Sequence, residues 1–292
     1  MQLSAQMLVG SYNIRYKNSG DSINGDLWPK RCQVMCDQVN FMSPDIFGAQ
    51  EVLHGQLIDM LACLNGYDYI GVGRDDGAAA GEYAAIFYRT DRLRLLDYGN
   101  FWLSETPDAP GLGWDAACVR ICTWGRFAGQ TATDDEAFYF FNTHMDHVGV
   151  IARREAAKLI VSKIREIAQG APVILTGDFN VDQNDEIYVI FTESGFLKDS
   201  YLATRQRLPR TARSIPSILT FTPKAASIIS SFHLKPTCIL MVYSPTAIGS
   251  PTLNQATQSK DMMPLNKSIS ANTHAVCRRI IILSLSVFDS HS

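Results

Sequence analysis

No apolar run in the 292 residues reaches the ~20 that a membrane-crossing helix needs, so no span is expected. Positive charge is scarce as well. With 26 Lys+Arg against 29 Asp+Glu the formal net charge is −3, which excludes a globally basic nucleic-acid binder. No stretch interleaves basic residues with aromatics as a base-stacking platform would. No G-x-S-x-G elbow marks a serine hydrolase, and no short repeat marks a solenoid. Seven cysteines cannot all pair, and Cys32/Cys36 and Cys118/Cys122 lack a His or further Cys at zinc-ligand spacing. They read as buried free thiols. The opening MQLSAQMLVG has no basic n-region, so it is not read as a signal peptide. The chain as written is expected in the cytoplasm, or outside it if a leader has been removed.

What is present suits one large α/β domain or two smaller ones: 46% hydrophobic and 19% charged residues can bury a sizeable core. The composition is uneven along the chain. Residues 1–206 carry 17 Lys+Arg against 27 Asp+Glu, a net of −10, while 207–292 carry 9 against 2, a net of +7. The same boundary separates 19 glycines from one and four tryptophans from none. Residues 1–206 are therefore taken as the folded domain and 207–292 as a segment of different origin, with no domain of its own.

Within the first part, short β-rich runs alternate with helical stretches. MLVGSYNIRY reads as a strand, and PKRCQVMCDQVNFM as an amphipathic helix with Cys32, Val34/Met35 and Val39 on its apolar face and Pro29 in its first turn. PDIFGAQEV is a second strand, followed by a helix at about 53–65. AFYFFNTHM and PVILTGDFN are continuously apolar rather than alternating, as strands covered on both faces are. Residues 150–168 form a helix with Ala152, Ala156, Leu159/Ile160 and Ile164 on one face. The pattern predicts β-sheets packed between helices, with functional groups at strand ends.

Four strands stop abruptly at polar residues: Ser11-Tyr12-Asn13-Ile14-Arg15, Gln50-Glu51, Asn142-Thr143-His144 and Gly177-Asp178-Phe179-Asn180. Each alone has a bland explanation as a turn residue or an Asx-turn. Together they hold what metal-assisted phosphoester hydrolysis requires. Glu51, with Asn13 beside it, can hold a hard oxygen-preferring cation. His144 can donate to a phosphoryl oxygen, and Asp178 with Asn180 can orient an attacking water. The groups can converge only if their strands end on one rim.

The ordered motifs SYNIR, GAQEV, NTHMDH and LTGDFN resemble the endonuclease/exonuclease/phosphatase superfamily, and GVGRDDG, GEYAAIFYR, FWLSETPD and GWDAA resemble its bacterial branch most similar to the deadenylase-like members. The resemblance covers about residues 7–201. It implies a four-layer α/β sandwich and a phosphoesterase dependent on Mg²⁺ or Mn²⁺, acting as a monomer on nucleic acid, a nucleotide or a small phosphorylated molecule. By position, Asn13 and Glu51 match the metal site, His144 the phosphate contact, and Asp178 with Asn180 the pair that orients the nucleophile. Glu82, Arg120, Asp146 and His147 lie in family-like segments and are carried as substrate-contact candidates.

Two later motifs of that family, an Asp-His pair and a Ser-Asp-His, are missing from the written chain. A shift of reading frame restores both. With suitable codons, Ala226 to Phe232 read from the third base of the alanine codon becomes Ile-Asp-His-Ile-Phe-Ile, and Val276 to Leu283, read likewise, becomes Val-Pro-Ser-Asp-His-Tyr-Pro. The expectation is a frameshift near Arg207 that leaves the C-terminal part of the fold disrupted. On that reading the written product is either inactive or a degenerate module that binds metal or phosphate without catalysis.

Overall fold

The computed structural model describes residues 5–200 together with the backbone of 217–220, 241–243 and 280–287. β1 (Ala5–Asn13) leads through a 3₁₀ turn to α1 (Trp28–Met42), then β2 (Ile46–Leu53), α2 (His54–Cys63), β3 (Tyr67–Ile70) and β4 (Glu82–Arg89). The second half adds β5 (Leu93–Trp102), β6 (Ile121–Gly129), β7 (Phe138–His144), α3 (Val150–Ala168), β8 (Val173–Asp178), α4 (Glu186–Thr192) and β9 (Leu197–Lys198). Three strands from the tail complete the order: β10 (Ser217–Thr220), β11 (Met241–Tyr243) and β12 (Ile280–Val287). Two six-stranded sheets result, ordered β11-β12-β1-β2-β4-β3 and β5-β6-β7-β8-β10-β9.

Alternation along the strands explains the layering. Ile46, Ile86, Phe140 and Ile174 meet Val9, Ile70 and Phe127 in one buried cluster between the sheets. Their neighbours Phe47, Phe87, Phe141 and Leu175 point the opposite way. Phe47 and Phe87 pack with Trp28, Cys36, Val39 and Met60 of α1 and α2, while Phe141 and Leu175 pack with Ala156, Ile160 and Ile164 of α3. Each sheet is thus covered on both faces, which is why β7 and β8 are continuously apolar. The order helix, sheet, sheet, helix is the four-layer sandwich expected. On α1 the buried face differs from the expected one: Cys36 is fully buried, whereas Val34 is 60% exposed. The i, i+4 partner of Cys32 faces the core, and Val34, rotated away by two residues, does not.

The sheets are tied by a buried polar network under their common rim. Asn142 Nδ2 donates to the carbonyls of Ala49 (3.0 Å) and Ala85 (2.9 Å), and Asn142 Oδ1 accepts from Gln50 Nε2 (2.7 Å) and Thr176 Oγ1 (3.1 Å). Gly48 makes room for it, because a Cβ there would run into Asn142 Oδ1 and Thr176 Oγ1. Gly48→Ala is expected to destabilise the fold by about 1–3 kcal/mol through overpacking, read as a lower denaturation midpoint; an unchanged midpoint would mean the sheets can separate without cost.

Three short tail segments lie against the sheets: β12 pairs antiparallel with β1 over eight residues, from Ala5↔Val287 to Tyr12↔Ile280. β10 pairs antiparallel with β8. As written, the run Ile-Ile-Ile-Leu-Ser-Leu-Ser-Val is apolar and largely β-branched or leucine, which suits pairing beside β1. Of the two positions offered by the shifted frame, 226–232 lies outside the described residues and 276–283 overlaps β12 only in part.

Candidate active site

β1 and β2 run parallel, as do β7 and β8, with Asn13 opposite Gln50 and His144 opposite Asp178. All four therefore end on the same rim, and sheet packing brings the two pairs face to face. The side chains meet across the gap. Asn13 Nδ2 donates to Glu51 Oε1 at 2.8 Å and to Asp178 Oδ2 at 3.0 Å, joining a carboxylate from each sheet through one amide. Glu51 Oε2 also accepts from the Tyr16 backbone N–H at 3.1 Å.

Two of these residues leave the regular ladder. The β2–β4 register shifts between Ala49 and Val52, and Glu51 sits in this bulge at φ 61°. Asn180 adopts φ 52° just beyond β8. A glutamate held in the left-handed region costs on the order of 1–3 kcal/mol and needs the surroundings to enforce it. Here the bulge turns the carboxylate out of the pleat and toward Asp178.

The imidazole is placed from both sides. Asn180 Nδ2 lies 3.2 Å from His144 Nε2 and donates to the Met145 carbonyl at 2.9 Å, while Asp178 Oδ1 accepts from the Asn180 N–H at 3.1 Å. His144 Nδ1 lies 3.7 Å from Glu82 Oε2. Glu82 in turn accepts from Arg74 Nη1 at 2.8 Å. Burial pushes the Glu82 carboxyl up, but contact with His144 and the Arg74 charge outweigh it and hold the group below its ordinary value. Glu82 is thus an anion at neutral pH, aimed at His144.

The sequence profile described as Endonuclease/Exonuclease/phosphatase family matches residues 10–239. The chain belongs to this family. The solved structure of an endonuclease/exonuclease/phosphatase family protein from Bacteroides thetaiotaomicron is 38% identical, with 99% of this chain and 100% of that one covered and a TM-score of 0.79. The mannosyl-6-phosphatase of Bacteroides thetaiotaomicron is 37% identical, covering 96% and 99% with a TM-score of 0.75. Uncharacterized protein L388 of Acanthamoeba polyphaga mimivirus is 28% identical over 163 residues, a match spanning 53% of this chain and 60% of that protein's length. Members of this family, the mannosyl-6-phosphatase among them, are hydrolases that act on phosphoester bonds.

Two of the expected residues have well-defined partners in this family member. Asn13, expected to ligate metal, has its Oδ1 accepting from the Arg15 N–H at 3.0 Å and its Nδ2 facing the carboxylates. It acts as a donor that sets the spacing of Glu51 and Asp178. Asp146 was carried as a substrate contact and instead is turned inward. Its Oδ1 accepts from the N–H groups of Val148 and Gly149, and its Oδ2 from those of Ala117 and Cys118 and from Arg120 Nε. Burial pushes this carboxyl up, but the surrounding donors and Arg120 bring it well below the usual carboxylate range. Asp146 therefore stabilises the loop above the ordinary aspartate pKa, and that contribution is lost as pH falls toward its depressed native value. Asp146→Asn should lower stability at neutral pH and flatten the acid side of the stability profile. An unaltered acid limb in chemical denaturation would remove this assignment.

Asp146 anchors the loop against Arg120, which is itself buried, while the neighbouring His147 is exposed. Arg120 Nη2 lies 3.0 Å from His147 Nδ1, and Arg120 Nη1 is buried without a hydrogen-bond partner among the described residues. Arg74, which orients Glu82, was not singled out from the sequence. Its only signal there was its place in the family-like run GVGRDDG.

Proposed function

We propose that this family member, with its frame intact, is a divalent-metal-dependent phosphoesterase acting as a monomer on a small phosphorylated molecule. The observation that carries this reading is the convergence of Glu51 and Asp178, from different sheets, on the one Asn13 amide. The donor set is carboxylate and amide, with no thiol among these groups, which fits a hard cation such as Mg²⁺ or Mn²⁺ better than a soft one. Glu51 would hold the ion. Bound there, the metal would supply Lewis-acid polarisation of a phosphoryl oxygen.

The chain's own groups divide the remaining work. Asp178, with one oxygen fixed by the Asn180 N–H, accepts a proton from an attacking water. Asn180 and Glu82 hold the His144 ring from opposite sides, so that the imidazole meets the phosphoryl group in one orientation. The unmet Arg120 donor and His147 provide cationic and polar contacts for the anionic substrate.

A phosphomonoester on a sugar is favoured over duplex DNA by two observations. The net charge of −10 over residues 1–206 opposes phosphate-backbone binding. The similarity to a mannosyl-6-phosphatase spans nearly the whole chain. The test compares release of phosphate from mannose 6-phosphate with cleavage of a generic phosphodiester, in Mg²⁺ and in chelator. Chelator-insensitive turnover would sink metal dependence, and faster diester cleavage would sink the monoester assignment. Binding of Mg²⁺ without turnover on any phosphoester would favour the degenerate, non-catalytic module.

We also propose that residues 207–292 are read out of frame. DNA sequencing across this region should reveal the shift, and the restored product should gain solubility and metal-dependent hydrolysis. A confirmed single frame with full activity in the written chain would overturn it. No helix among the described residues is long and apolar enough to cross a membrane.

A further inference from the structure

The cysteines set aside as isolated thiols are not isolated in space. Cys32 and Cys36 stand one turn apart on α1, and Cys63 is the last residue of α2. The three sulfurs lie within 4.8 Å of one another. Cys32 and Cys36 are buried at 6% and 0% exposure, and Cys63 is only partly covered, so the cluster opens to solvent on one side. The two helices that carry it are pinned. Trp28 Nε1 donates to Asp59 Oδ2 at 2.7 Å, and Asn40 holds the helix end by donating to the Cys63 carbonyl at 2.9 Å and accepting from the Asn65 N–H at 3.0 Å.

We propose that Cys32, Cys36 and Cys63 form a binding site for a trivalent thiophilic ion, taken up as arsenite. The choice of ion follows from coordination and charge. Among the described residues no fourth His, Cys, Asp or Glu joins the group, so four-coordinate closure of the kind a structural zinc site needs is missing. Three thiolates around Zn²⁺ would leave one uncompensated negative charge in an apolar setting that includes Met35, Val39 and Met60, and around Cu⁺ they would leave two. Trivalent arsenic bound to three sulfurs is neutral. Sulfur also suits a soft ion.

The reaction balances without an oxidant. As(OH)₃ and three thiols give the trithiolate and three waters: three As–O and three S–H bonds break, three As–S bonds form, and no atom changes oxidation state. Burial favours this route over simple metal exchange, since it pushes the Cys32 thiol up to about 11 and raises Cys36 further, keeping both protonated in the empty site. Protonated thiols supply the hydrogens that leave as water.

The site lies away from the rim and makes no use of its residues, so its test is independent of the phosphoesterase reading. The full chain carrying Cys118→Ala, Cys238→Ala and Cys277→Ala is mixed with arsenite alone and examined by native mass spectrometry and equilibrium dialysis. One arsenic per chain is expected, with the mass loss of three thiol hydrogens. Cys63→Ala should leave a two-sulfur adduct and weaken binding by more than the ~10-fold typical of losing an outer-shell partner. Cys32→Ala should behave alike, and serves if the first variant does not fold. An adduct engaging fewer than three sulfurs, affinity unchanged in both variants, or displacement of arsenite by equimolar Zn²⁺ would overturn the proposal.

Discussion

Glu51→Gln in the frame-restored chain is expected to lower metal-dependent turnover by roughly 10³-fold or more, since loss of a Lewis acid forfeits several kcal/mol of transition-state stabilisation. The substitution preserves size, and the single glutamine carbonyl oxygen can keep one of the two bonds the carboxylate accepts, from Asn13 Nδ2 or from the Tyr16 N–H, with the other lost on the surface of the site. It also keeps the same backbone demand at φ 61°. The fold should therefore persist, with a denaturation midpoint close to that of the parent. What disappears is the negative charge that would hold a hard cation. Titration calorimetry with Mg²⁺ should show binding lost along with activity, and full activity in this variant would remove Glu51 from the site.

Asp178→Asn is expected to reduce kcat by ~10²–10⁴-fold with little change in KM, because a general base acts on the water rather than on the bound substrate. The asparagine can keep the bond from the Asn180 N–H but offers Asn13 an amide in place of a carboxylate. A second readout separates chemistry from positioning. If Asp178 removes the proton, the solvent deuterium isotope effect on kcat should change in the variant, whereas a purely structural role would leave that effect as in the parent. A fall of less than tenfold with the isotope effect unaltered would pass the base to another group.

Much of this site is legible before folding. Period and apolarity locate α1, α2, α3, β7 and β8 close to their observed limits, and the abrupt polar ends of β1, β2, β7 and β8 mark the residues that meet at the rim. β6 is harder to see, since Gly125 and Arg126 interrupt its run and the strand is recognised mainly through its pairing with β5 and β7. The Cys63 thiol is invisible as a partner of Cys32 because the two lie on different helices, 31 residues apart in sequence.

The apolar content of β1, β2, β7 and β8 and the identity of the groups at their ends were determined by the sequence, because each is a local property of a short segment. Which atom of each group faces which partner was decided only by tertiary packing. The bulge at Glu51 and the Asn142 tie beneath it set the distance between sheets, and that distance made Asn13 a donor to two carboxylates. Asp146 went the other way for the same kind of reason. In sequence it is one more polar residue after a strand, but four backbone N–H groups and Arg120 converge on it once the chain is folded, and a buried carboxylate so satisfied cannot also face a substrate.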